Sequence, residues 1–393
     1  MPTAPARGEA ARFGAIHALP SGMASHTKGD RTLLFDPYLL RGLSLKNRLV
    51  MAPMTRNRAT AEHVPTPIMA TYYAERADIG LLITEGTSPA PDGLGYPRIS
   101  GLYSDEQVAA WKPITAAVHA RGGKIFVQLM HTGRASHALN LPAGARVVGP
   151  MAVALPEPVY TDAEGLQPAT VPHALTNDEV RAVVAEYAYS ATKAIEAGFD
   201  GIELHSANGY LIEQFLNANH NQRTDSYGGS AEARNRFALE VAAATAAAIG
   251  ADRVGIRLSP YGSFNDMGAF EGIDEQFVAF GRALSDLTLA HLHLVDHPLM
   301  GSPNAPASLR AQLRAAFTGT FIASGGFDRA KAEAILASNS ADLVAFGRSA
   351  LANPDLVARL QHNAPLNVAD VATFYMPGEK GYTDYPVLSG LSA

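Results

Sequence analysis

Cysteine is absent from all 393 residues. That excludes disulfides, a thiolate nucleophile and any cysteine-ligated iron–sulfur or zinc centre. Tryptophan occurs once, at Trp111. Excess positive charge is missing too: 31 Lys and Arg stand against 37 Asp and Glu, a net charge of -6, so neither nucleic acid nor an anionic membrane would attract the chain electrostatically. No apolar run approaches the roughly 20 residues needed to span a bilayer. The first 30 residues carry Arg7, Arg12 and Lys28 with few acids, a faint likeness to a transit peptide, but lack the apolar stretch of a secretory signal. They are read as an extension to a body at 31–393. A cytoplasmic monomer or homodimer whose partner is a small molecule is the expectation that remains.

What is present is an apolar fraction of 47%, enough for a large core. Short apolar runs at 48–53, 80–86, 124–130, 200–205, 253–259, 290–296, 321–325 and 341–347 alternate with helical patterns. Ser104 is placed to cap a helix over 105–120, and Thr176 with Glu179 forms a capping box for a helix reaching 197. Residues 138–172 are rich in Pro, Gly and Ala without a sustained period, and read as a long excursion after the third strand. Two doubly wound domains would give the same local signals. The count of eight strands without a composition break favours a single (β/α)8 barrel.

In such barrels the loops after the strands hold the active site, and a phosphate commonly sits beyond the seventh and eighth strands. Ser324-Gly325-Gly326 and Gly347-Arg348 fall there, supplying backbone N–H groups and a guanidinium. The alternative is turn glycines and a surface arginine. Other strand ends suit a heteroaromatic ring: Thr55 as a donor, Gln128 as donor and acceptor together, Arg257 for negative charge, with ordinary capped or surface residues as the alternative, and Gly86 for close backbone approach. Most informative is 200–215, which starts as a buried strand and ends in His205, Asn208 and Tyr210. An imidazole and an amide three residues apart can donate to one oxygen, with a phenol beside them to deliver a proton.

Taken together, Ala52-Pro-Met-Thr-Arg56, Ile83-Thr-Glu-Gly86, Val127-Gln-Leu-Met-His-Thr-Gly-Arg134, residues 201–215, Arg223-Thr-Asp-Ser-Tyr-Gly-Gly229 and Ala345-Phe-Gly-Arg348 resemble the old yellow enzyme family of flavin ene-reductases, over roughly residues 33–386. The resemblance implies that Pro53, Met54, Thr55, Gly86, Gln128 and Arg257 hold the ring of FMN, and that Ser324, Gly325, Gly326, Gly347 and Arg348 hold its phosphate. It implies that His205 and Asn208 bind a substrate carbonyl and Tyr210 protonates the α-carbon. Met130, where the family often has tryptophan, and Tyr375, near the C-terminus, would border the substrate pocket. NADPH, with NADH as the other candidate, would be the reductant, and activated alkenes the substrates. Nitrate esters, nitroaromatics or quinones on the same flavin are alternatives, as is a non-catalytic flavin-binding barrel.

Several other residues read as structural. His131, His173, His291, His293 and His297 are assigned loop or packing roles. His291 and His293 share one strand face, but a metal site would need a third ligand that cannot be assigned from the sequence. Arg223 and Asp225 read as a salt-bridged loop, Tyr72, Tyr73 and Trp111 as packing, and Tyr382 and Tyr385 as ring contacts or anchors for the tail.

Overall fold

A computed structural model describes residues 32–298 and 301–390; the reading of the first 30 residues lies outside them. The eight apolar runs are the eight strands of one closed parallel barrel, in sequence order around the ring: Leu49–Met51, Leu81–Thr87, Ile125–Leu129, Gly201–Ser206, Val254–Leu258, His291–Val295, Thr320–Ser324 and Leu343–Phe346. Every residue of these strands is buried, as expected where a barrel buries one face inside and the other under helices. Among the described residues no helix is long and apolar enough to cross a membrane.

Helices follow the strands and are capped where the sequence predicts. Ser104 Oγ accepts from the Gln107 N–H, starting the helix Asp105–Ala120, and the Gln107 side chain closes the reciprocal bond. Thr176 and Glu179 do the same for Asn177–Glu196. Each such cap is worth about 1 kcal/mol. Trp111, Tyr72 and Tyr73 lie in the large apolar layer between strands and helices. Arg223 pairs with Asp225 at 2.6 Å. The excursion contains more order than its composition suggests: Val159–Thr161 and Gly165–Gln167 form an antiparallel hairpin. Thr161 Oγ1 closes its turn by accepting from the Glu164 N–H and donating to the Gly165 carbonyl, while Gly165 adopts φ 72°.

Inside the barrel the two-residue period of a strand divides the lining in two. Val50, Leu81, Ile83, Ile322, Leu343 and Ala345 make an apolar half, continued by Leu40 and Leu45 of the short hairpin that precedes the first barrel strand. The other half is polar and belongs to the third to sixth strands. There the Glu203 carboxylate accepts from Gln128 Nε2 at 2.8 Å, His291 Nε2 at 3.0 Å and His293 Nδ1 at 2.8 Å. Gly255 makes room for this arrangement, since a Cβ there would meet the His291 ring at 2.0 Å.

The C-terminal segment is held to the loop after the first strand by two buried arginines. Arg56 donates to the Gly381 carbonyl at 2.6 Å, and Arg58 donates to the Thr373 and Lys380 carbonyls, each at 3.0 Å. Tyr382 stacks on Tyr72 with ring centroids 3.9 Å apart, and the Tyr385 hydroxyl accepts from the Asp370 N–H. Both tyrosines anchor the tail.

Candidate active site

Strand register brings the polar strand ends together. His205 pairs with Arg257, Arg257 with His293, Glu203 with Gln128, and Gly86 with Gln128. The last pairing depends on a bulge between Ile83 and Gly86, which adds one residue to the second strand and carries Gly86 level with Gln128. Gly86 is needed there: a Cβ would come within 2.5 Å of Met130 Sδ. Met130 itself is buried against Leu94 and Ile99, in the same cluster that Tyr96 and Tyr210 flank.

The loop after the fourth strand is held from several sides. Asn208 takes a left-handed conformation, φ 58°, which asparagine tolerates better than most residues. Its N–H donates to Ser259 Oγ at 2.8 Å and its carbonyl accepts from Asn265 Nδ2 at 2.7 Å. Buried Glu213 accepts from the Gly209 N–H and from Ser259 Oγ. Burial raises the Glu213 carboxyl to about 8, against the opposing bonds from Gly209 and Ser259. Tyr210 starts the short helix Leu211–Leu216, and its ring meets His205 edge to face with centroids 4.9 Å apart. The Tyr210 and Tyr96 hydroxyls are 3.5 Å apart. Burial, then Tyr96, pushes the Tyr210 phenol well above its ordinary range. Tyr375 lies close enough to add to the shifts of both Tyr96 and Tyr210, although its own side chain is 60% exposed.

Burial, then the charge of Arg257, drives the His205 imidazole well below its ordinary value, so it is neutral near pH 7. Among the described residues its Nδ1 and the Nε of Arg257 are buried without a hydrogen-bond partner. Burial lowers Arg257 to about 10, which leaves it cationic. Buried polar groups seldom stay unpaired in a working protein, so this donor set asks for a polar ligand.

Across the same rim the ends of the first, seventh and eighth strands abut. Pro53 is buried, Met54 and Thr55 are half-buried, and a Cβ on Gly347 would stand 3.7 Å from Met54 Sδ. Ser324 closes the seventh strand and its carbonyl accepts from the Asp296 N–H at 3.0 Å. Gly325 and Gly326 follow with φ 151° and 72°, and Arg348 is exposed at the start of the helix Arg348–Ala352. Two glycines with positive φ beside an exposed guanidinium suit a phosphate. An arginine and a histidine with unpaired nitrogens in the barrel, beside the Gln128 amide, suit a polar ring. The set fits FMN.

Five residues at or under this site have contacts outside the expectations. Glu203, a strand residue two before His205, points into the barrel with it; the alternation His205, Glu203 carried that signal. Tyr96 comes from a glycine-rich loop that has no period to betray it. His291 and His293 are bound to Glu203 and are not packing residues: their N–H groups face a carboxylate instead of an ion. Among the described residues no cluster of His, Asp or Glu could hold a metal. Burial lowers His293 to about 4, against the pull of Glu203. For Glu203, burial opposes the charge, but the pull of His293 with the histidine hydrogen bonds outweighs it and holds the carboxyl well below its ordinary value. His297 lies in the loop after the sixth strand, within the expected loop or packing role, but its Nε2 also lies 2.7 Å from Asn208 Oδ1. His131 is buried with Nδ1 accepting from the Gly133 N–H, a loop role.

The geometry has counterparts among known proteins. The family described as NADH:flavin oxidoreductase / NADH oxidase matches residues 33–367. A probable flavin mononucleotide-dependent alkene reductase of Leishmania infantum is 43% identical over 362 residues, covering 91% of this chain and 98% of its own. Among solved structures, morphinone reductase in complex with tetrahydroNAD is 42% identical with a TM-score of 0.85, covering 91% of this chain and 98% of its own. The old yellow enzyme homologue from Zymomonas mobilis is 40% identical with a TM-score of 0.87, covering 90% and 99%.

Proposed function

The chain belongs to the NADH:flavin oxidoreductase / NADH oxidase family and is an FMN-dependent alkene reductase of the old yellow enzyme type; from that premise we propose that it reduces C=C bonds conjugated to a carbonyl, maleimide or nitro group, with NADPH as the preferred reductant. The observation that carries the reading is the meeting of His205, Asn208 and Tyr210 at one strand end, with the two rings 4.9 Å apart. FMN, held by the ring and phosphate residues above, would supply the hydride for the β-carbon. The residues of the chain do the rest. His205, neutral and buried, and the Asn208 amide donate to the substrate oxygen, drawing electron density from the alkene and stabilising the negative charge that develops on that oxygen. One such donor is worth about 2.7–4 kcal/mol of barrier. Tyr210 retains its proton across the neutral range and delivers it to the α-carbon, so that one hydride and one proton saturate the bond. Arg257, cationic beneath the site, offsets negative charge on the reduced ring. Gln128, with one amide N–H committed to Glu203, keeps its oxygen and second N–H for the ring edge.

Tyr210→Phe tests the assignment by stopped-flow absorbance. Alkene-driven reoxidation of the flavin should slow by about 10²- to 10⁴-fold, the usual range for a lost general acid, while reduction by NADPH keeps its rate. Equal slowing of both half-reactions would rule out Tyr210 as the proton donor.

A further inference from the structure

The backbone of Asn208 is held on both sides, its N–H by Ser259 Oγ at 2.8 Å and its carbonyl by Asn265 Nδ2 at 2.7 Å. What those bonds leave undecided is the side-chain amide. Its last torsion is broad and roughly two-fold, so the oxygen and the NH2 can exchange places at little cost. The two orientations have opposite chemistry, because one offers a substrate oxygen a donor and the other offers it a repelling acceptor.

We propose that His297, reached from the loop after the sixth strand, is a positioning residue that fixes the Asn208 amide in its donor orientation. Its Nε2 stands 2.7 Å from Asn208 Oδ1. Burial, then the charges of Arg257 and His293, lowers its pKa to about 3, so the ring is neutral and carries a single N–H. An N–H at Nε2 pairs with Oδ1 and leaves the Nδ2 group turned away from the histidine. Two further contacts hold the ring in place. Phe264 meets it edge to face with centroids 4.9 Å apart, and the His297 carbonyl accepts from the Ser302 N–H. Next to it, Asp296 anchors the loop through the Ala305 N–H at 2.8 Å and Arg310 at 2.7 Å. His297 touches neither reacting atom; it acts through Asn208. The inference rests on the reading of Asn208 as a carbonyl donor.

The test is titration of the FMN-loaded protein with a para-substituted phenol, an oxygen ligand for the same donors, followed by its long-wavelength charge-transfer absorbance. Asn208→Ala should weaken binding. His297→Phe, which keeps a ring but removes the donor, should weaken it by roughly 2- to 13-fold, the weight of one neutral hydrogen bond. His297→Gln, whose amide nitrogen reaches about as far as Nε2, should restore binding close to that of the parent. In the Asn208→Ala background, His297→Phe should add nothing, and FMN affinity should be the same in both His297 variants. If Asn208→Ala weakens binding and His297→Phe does not, or if the two losses add, the positioning role is overturned while the carbonyl-donor reading stands. If Asn208→Ala leaves binding unchanged, that reading fails and this inference with it.

Discussion

Replacing Glu203 by glutamine changes one atom and should reverse the amide of a different residue. The carboxylate accepts three N–H groups on two oxygens, Gln128 on Oε1 and both histidines on Oε2. A glutamine at 203 has one oxygen and one NH2. With its NH2 toward the histidines it would oppose two donors, so the cheaper choice turns the NH2 toward Gln128, where it opposes one. Gln128 then has to rotate by half a turn to present its own oxygen. Its NH2 consequently faces the ring edge where an acceptor is required. One buried mismatch of this kind costs about 1–3 kcal/mol, which is roughly 5- to 150-fold in the dissociation constant of FMN. Titration of the apoprotein with FMN, followed by flavin fluorescence, measures that change, and Gln128→Met supplies the control in which Glu203→Gln should have no further effect. A variant that melts earlier but binds FMN within about two-fold of the parent would show that Glu203 is a partner for the histidines alone, and the orientation argument would be wrong.

Two further outcomes follow from the same interior. Gly255→Ala drives a Cβ to 2.0 Å from the His291 ring; the overpacking should destabilise the fold by about 1–3 kcal/mol, read by denaturant unfolding, and an unchanged midpoint would mean that the imidazole moves freely. Glu213 has a folded pKa of about 8 against an ordinary value of 4.5. A raised folded pKa means that folding takes up a proton, so this contribution is fully present below the unfolded value and is lost as pH rises through about 8. Glu213→Gln should therefore flatten the fall of melting temperature between about pH 5 and 8, and a parallel curve for the variant would place the proton elsewhere.

The eight strands, their order and the two capped helices were legible in the sequence because each rests on local chemistry: apolar runs of strand length, and a hydroxyl followed three residues later by an amide or carboxylate. His205, Asn208 and Tyr210 were legible for a similar reason, being neighbours in the chain at a strand end. What the sequence by itself could not determine was which distant side chains complete them. His297 is 89 positions from Asn208, and His293 is 90 from Glu203; read alone, each is an isolated histidine with no pattern around it. Only the curvature of the barrel turns the fourth and sixth strands, one on each side of the fifth, and the loops after them toward each other. The partner of a polar group is decided by distance in space, and in a parallel barrel that distance is governed by strand register, which no local run of residues records.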